Sequence, residues 1–211
     1  MRRTSFHDHS LGHDNSIGKN NYIFLAIILL FIVGMIYGTL LIKSQSGSLL
    51  KQLNIITKEY VGSHRTQSII SLMINSFLSS ALFLVIPYLL GYSAIGQAGT
   101  LFVPLFKGLG LGATLGNLYL TYGLKGIGYS ALIIVPQTAI ALFAIIIGCR
   151  ESIKLSNMFF ISILPDREKM VTSSTVKMYN IKFLILLSFI VLSALVDATF
   201  VALFSGIFQI Y

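Results

Sequence analysis

Between Lys19 and Lys43 the chain carries no charge, and the run NYIFLAIILLFIVGMIYGTLLI is apolar at almost every position. A bilayer core of about 30 Å needs about 20 apolar residues in a helix. The run therefore predicts a first membrane span over about 22–42. The next uncharged run, residues 66–106, is too long for one helix, and Pro87, Gly91, Gly96, Gly99 and Pro104 divide it. Since glycine and proline punctuate helices, the pattern predicts a second span over about 67–90. It predicts an irregular, partly re-entrant stretch over 91–103 and a third span over about 104–124. After a tight turn around Lys125, GIGYSALIIVPQTAIALFAIIIG predicts a fourth span over 126–148. A charged linker over 149–182 precedes a fifth span over about 183–206.

These elements assemble into one all-α bundle, a single polytopic membrane domain over 22–211 behind a tail of residues 1–21. A segment over 43–66 joins the first two spans on the outer side. The composition agrees: 55% of the 211 residues are hydrophobic and 10% are charged, with a mean hydropathy of +0.83. Soluble domains carry about a quarter charged residues, so a water-soluble globule is excluded. The first apolar run is too long and continuous for a cleaved signal, so it is expected to be retained. The formal charge of +8 fits membrane orientation and lipid contact rather than nucleic acid. With the N-terminus inside, ten lysines and arginines fall on the inner side and five on the outer side. That balance favours an inside N-terminus and an outside C-terminus. One cysteine, Cys149, leaves no intramolecular disulfide.

The stretch KGLGLGATLG, residues 107–116, invites a phosphate-loop reading. Such a loop needs a preceding strand and a different glycine spacing, and neither is present. Gly108, Gly112 and Gly116 recur every four residues on one helix face, and Gly34 and Gly38 repeat the spacing in the first span. Small residues at this interval let helix backbones approach in lipid. Gly110, Thr114, Asn117 and Thr121 lie near the opposite face, which places the third span centrally. Ser68, Ser71, Asn75 and Ser79 make a polar stripe on the second span. Pro136 in the fourth is expected to kink the helix and free the carbonyl of Leu132. Gln137 and Thr138 beside it are placed to bond across helices.

Asp197 is the only acid within a predicted span. A carboxylate there costs at least about 2.5–3.5 kcal/mol on insertion scales and invites a functional reading. Lys107, at the inner start of the third span, is expected to snorkel rather than pair with it. In the outer segment, SGSLLKQLNIITKEY predicts a short amphipathic helix capped by Ser48, with Leu49, Leu50, Leu53, Ile56 and Tyr60 on one face. That helix is available to the outer leaflet or to another protein. The inner linker is basic and expected to lie on the anionic inner surface. HDHSLGHD near the N-terminus resembles a metal site, but a short tail gives no fixed four-ligand geometry, and a solvated tail is the better expectation. No nucleophile–base pair or carboxylate pair stands in the outer segments, so neither enzymatic activity nor a cofactor is expected.

Taken together, a short basic N-terminus before the first span, LFKGLGLGATLGNL in the third, VPQTAIALFA in the fourth and ALVDATFVALF near the end resemble the stage II sporulation protein M family over nearly the whole chain. Pro136 and Gln137 match its proline-centred segment. Asp197 stands where relatives usually carry a glutamate. The resemblance implies a non-enzymatic, multi-pass cell-membrane component of the engulfment machinery of endospore-forming bacteria at the sporulation septum. Its implied partners are stage II sporulation proteins D and P, which cleave peptidoglycan. Asp197, Leu53 and Gln137 become candidate partner contacts, with the lipid bilayer as surroundings and a homo-oligomer left open. A permease-like transporter subunit is the alternative.

Overall fold

The computed structural model describes residues 11–44, 69–163 and 172–204. Its elements are α1 (Leu11–Ser44), α2 (Ile69–Gly91), α3 (Gly96–Tyr122), a short α4 (Leu124–Tyr129), a π turn (Ser130–Ile134), α5 (Val135–Ile163) and α6 (Ser173–Phe204). Five stretches are long and apolar enough to cross a membrane: Tyr22–Lys43, Met73–Gly91, Gly96–Tyr122, Leu124–Ile163 and Ser173–Leu203. Among the described residues there is no strand. The chain is an all-α membrane bundle. Its outward faces carry Leu25, Ile36, Leu82, Phe102, Phe143 and Leu184, all exposed. Helices apolar on every side suit hydrocarbon surroundings.

Glycine sets the distance between α1 and α3. A Cβ on Gly34 would run into the backbone carbonyl of Leu105, and one on Gly38 into that of Leu109. From the other side, a Cβ on Gly108 would meet the carbonyl of Phe31, and one on Gly112 that of Met35. Paired positions rise together along both helices, so α1 and α3 run parallel. Thr39 Oγ1 donates to the carbonyl of Gly112 across the seam at 3.2 Å. At Gly116 a Cβ would sit 3.4 Å from Thr39, an ordinary contact, so the seam is tightest between residues 105 and 113. Gly110 faces away, with nothing within 4 Å of its would-be Cβ.

Three apolar clusters fill the interior. One lies between α2, α5 and α6 around Leu84, Ala144, Leu186 and Ile190. Another joins α3, α4, the π turn and α6 through Leu118, Tyr129, Ile133 and Val201. The third sets Ile27 of α1 against Val103, Ile145 and Cys149.

Helix limits depart from the hydropathy reading in four places. First, α1 begins at Leu11, within the expected tail, and residues 1–10 with His7 and His9 lie outside the described residues. Second, of the stretch 91–103 only 92–95 is a turn, and α3 starts at Gly96. Gly96 and Gly99 pack against the backbone and side chain of Leu90 rather than breaking the helix. Third, residues 149–163 extend α5, and α6 starts at Ser173, so most of the expected linker is helical. Helical hydrogen bonding continues where hydropathy falls because the polar side chains find partners. Glu151 binds Lys154 at 3.0 Å and Lys182 of α6 at 2.6 Å, while Ser156 donates to the carbonyl of Ser93 at 2.6 Å. Fourth, the irregularity next to Pro136 is a π turn, in which the Val135 N–H donates to the carbonyl of Ser130. Such a turn is one known response to a break in the helical ladder. At the opposite end of α3, Gly123 turns the chain with a φ of 58°, a conformation that favours glycine.

Replacing Gly112 by valine should force α1 and α3 apart and cost about 1–3 kcal/mol of stability. Gly110→Ala should be nearly neutral. Thermal unfolding of both variants in detergent checks this, and equal losses would contradict the seam.

Candidate functional site: a polar layer around Asp197

Residues 193 and 197 lie one turn apart on α6 and share a face, as i and i+4 positions do. That face meets Ser76 of α2 and Gln137 of α5. Gln137 donates through Nε2 to Ser76 Oγ, and Ser76 in turn hydrogen-bonds Asp197. Ser193 Oγ donates to the backbone carbonyl of Gln137 at 2.8 Å. Tyr129 of α4 stands close enough to interact electrostatically with the Asp197 carboxylate. Asp197 and Ser193 are each 1% exposed. The result is a single polar layer with Ile190 and its apolar cluster on one side and Ala198 and Val201 on the other.

One atom of the layer stands apart. Asp197 Oδ1 is buried and makes no hydrogen bond. A hydrogen bond to a charged group contributes about 1.5–3 kcal/mol, and the one from Ser76 leaves Oδ1 itself unpaired.

Lys107 supplies no counter-charge. It lies eleven residues into α3, about 16 Å along the helix, deeper than the surface position its sequence context suggests, because α3 starts at Gly96. Its Nζ sits 4.7 Å from the centre of the Phe83 ring. A desolvated cation–π contact of this kind is worth about 2 kcal/mol. Among the described residues the ion pairs are those of Glu151 with Lys154 and Lys182.

A second polar group closes the other end of the bundle, where α2 ends. The last four carbonyls of a helix need partners from outside it. Tyr179 of α6 donates to the carbonyl of Tyr88 at 2.9 Å, and the amides of Tyr92 and Ser93 donate to Leu89 and Leu90. Ser152 of α5 donates to the carbonyl of Pro87 at 2.6 Å and meets Thr100 of α3 at 3.2 Å. Tyr88 stacks on Tyr179 at 5.7 Å with planes 8° apart, and Tyr92 packs edge-on against both. Partial burial, then the neighbouring Tyr88, pushes the Tyr92 phenol up to about 12, so it stays un-ionised at neutral pH. This group locks α2, α3, α5 and α6 together; its chemistry is that of a clamp.

The structure thus brings Gln137 and Asp197 together through Ser76, with Pro136 next in sequence to Gln137. Gly34, Gly38, Gly108, Gly112 and Gly116 belong to the separate α1–α3 seam. Asp197 and Gln137, expected as partner contacts, are buried between helices, so neither offers a surface to another protein in this structure. Leu53 and its amphipathic segment lie outside the described residues. The polar stripe on α2 is displaced by one position: Asn75 and Ser79 face outward, while Ser76 and Ser80 face the bundle. The apolar and polar pattern of α2 does not single out Ser76. Its signal is the spacing of Ser76, Ser80, Leu84 and Pro87, a run of small or apolar residues at four- and three-residue steps along the inward face.

Changing Ser76 to alanine removes a partner from both Gln137 and Asp197. It should destabilise the bundle by about 1–3 kcal/mol, whereas Ser79→Ala on the outward face should stay within about 0.5 kcal/mol. Parallel thermal denaturation in lipid nanodiscs separates the two, and a neutral Ser76→Ala would contradict the layer.

The match to known families covers most of this architecture. A family model described as Stage II sporulation protein M matches residues 27–202, from the middle of α1 almost to the end of α6. No curated protein and no solved structure shows a significant match. The matched region spans every helix of the bundle, including the glycine seam and the Asp197 layer, and the chain belongs to the stage II sporulation protein M family.

Proposed function

We propose that the chain is a non-enzymatic membrane component of engulfment during endospore formation, which anchors or localises a peptidoglycan-cleaving complex at the septum. The observation that carries this reading is the family match over residues 27–202, which marks a sporulation-related membrane protein. Stage II sporulation proteins D and P are the partners this reading assigns. The charge asymmetry supports an N-terminus inside the cell. In that orientation the segment between α1 and α2 faces the cell wall, where such partners act. With Asp197 and Gln137 enclosed, partner contact falls to that segment, around Leu53.

The second reading is a permease-like subunit, favoured by the buried acid within a membrane-spanning helix. Intramembrane carboxylates commonly mark ion or proton paths.

Deleting the gene in a spore-forming host and following the septal membrane by fluorescence separates the two readings. The engulfment reading predicts a septum that stays flat or bulges without migrating around the forespore. It also predicts that Leu53→Asp reproduces the defect with normal protein levels. Normal engulfment in the deletion strain would overturn it and favour the permease reading.

A further inference from the structure

The Asp197 layer sets one buried, unpaired carboxylate oxygen among neutral polar side chains. Asp197 is 1% exposed and its Oδ1 is buried without a hydrogen bond. Every element around it is short of charge. On α2 there is no lysine, arginine, histidine or acid at all, and Ser76 is its contribution. The α3 helix brings Lys107, which is directed at Phe83, and the phenol of Tyr122. Tyr129 comes from α4, whose Lys125 is exposed. On α5, Arg150, Glu151 and Lys154 lie 13 or more residues beyond Gln137, and on α6 Lys177 and Lys182 lie 15 or more residues before Asp197. A carboxylate in this position has hydroxyl and amide neighbours and no cation.

A metal ion fits poorly. Hard divalent cations take about six to eight oxygens, and no group of three or more histidine, cysteine or acidic side chains is suited to a metal among the described residues. Ser193 and Gln137 are already committed to bonds within the layer. A proton needs only one oxygen, and Oδ1 is that oxygen.

We propose that Asp197 is an occluded proton-binding site, which exchanges its proton with water when α2, α5 and α6 part and holds it when they are packed. On loading, a hydronium ion gives its proton to Oδ1: an O–H bond forms on the carboxylate as one breaks on the hydronium, leaving water. On release the proton returns to a water molecule that has entered between the helices. Ser76 holds the second carboxylate oxygen, and Gln137 and Ser193 carry the state of the acid into the contacts between α2, α5 and α6. Packing of the bundle is thereby linked to proton availability on the side to which the layer opens. The inference does not depend on the engulfment reading.

Infrared spectroscopy of the full chain in lipid nanodiscs tests this directly. At neutral pH the protein should show the carbonyl-stretch band of a protonated carboxylic acid. The band should shift in heavy water and when aspartate is labelled with carbon-13 at its carboxyl group. It should vanish in Asp197→Asn and move in Asp197→Glu. Strongly alkaline buffer should remove the band and neutral buffer restore it. Carbon-13 labelling needs no variant, so a failure of either substitution to fold leaves the test intact. Absence of an aspartate-derived acid band in the labelled wild-type protein would overturn the proposal. So would its loss on adding sodium or potassium at constant pH, which would mark a metal-cation site instead.

Discussion

A bilayer core holds no water to bond a stray amide or hydroxyl, so a polar group within the spans is costly unless it finds a partner in the protein. That constraint explains where the helices touch. The α1–α3 seam is close enough for Thr39 to reach the carbonyl of Gly112, and only glycine allows the backbones that near. The end of α2 would expose several unpaired carbonyls; a tyrosine from α6 and serines from α5 answer for them and for the adjoining turn. Hydrophobic burial contributes little between helices already surrounded by lipid. Packing at glycine and hydrogen bonding at these few points set the arrangement instead.

Asp197 and Lys107 are treated in opposite ways. Lys107 has a long flexible arm and lays its ammonium over the Phe83 ring, in a cation–π contact. Asp197 has one methylene and cannot move away from its position, so the protein builds around it. Ser76, Gln137 and Ser193, from three helices, bond to one another beside it, and Ser76 bonds to the carboxylate. Functional weight follows from this contrast. The lysine is accommodated by its own geometry, whereas the aspartate is retained in a setting made for it.

Much of the fold is legible in the sequence because lipid imposes a simple length rule. The five spans follow from runs of apolar residues, and the four-residue glycine spacing marks helix faces. Helix ends are less legible. Hydropathy falls at Arg150, yet α5 runs to Ile163, because Glu151, Ser152 and Ser156 find partners on α6, α2 and the turn after α2. Those partners are distant in sequence, so no local pattern announces them. Gly96 and Gly99 show the reverse problem: glycine reads equally as a breaker and as a packing surface, and only the position of Leu90 decides. The site was half legible. Asp197 stands out by charge alone, but Ser76 is one serine among several, and its role follows from a register that the neighbouring helices fix.

Inside the membrane, protein contacts replace water, beginning with α1 lying parallel against α3. The most direct check is disulfide cross-linking in native membranes, with Cys149 replaced by serine and cysteines placed at Thr39 and Gly116. A Cβ at residue 116 falls 3.4 Å from the Thr39 Cα, within the reach a disulfide requires. This pair should cross-link rapidly within one chain, and not at all when the second cysteine is moved to Gly110. Equal or better cross-linking from residue 110 would contradict that packing.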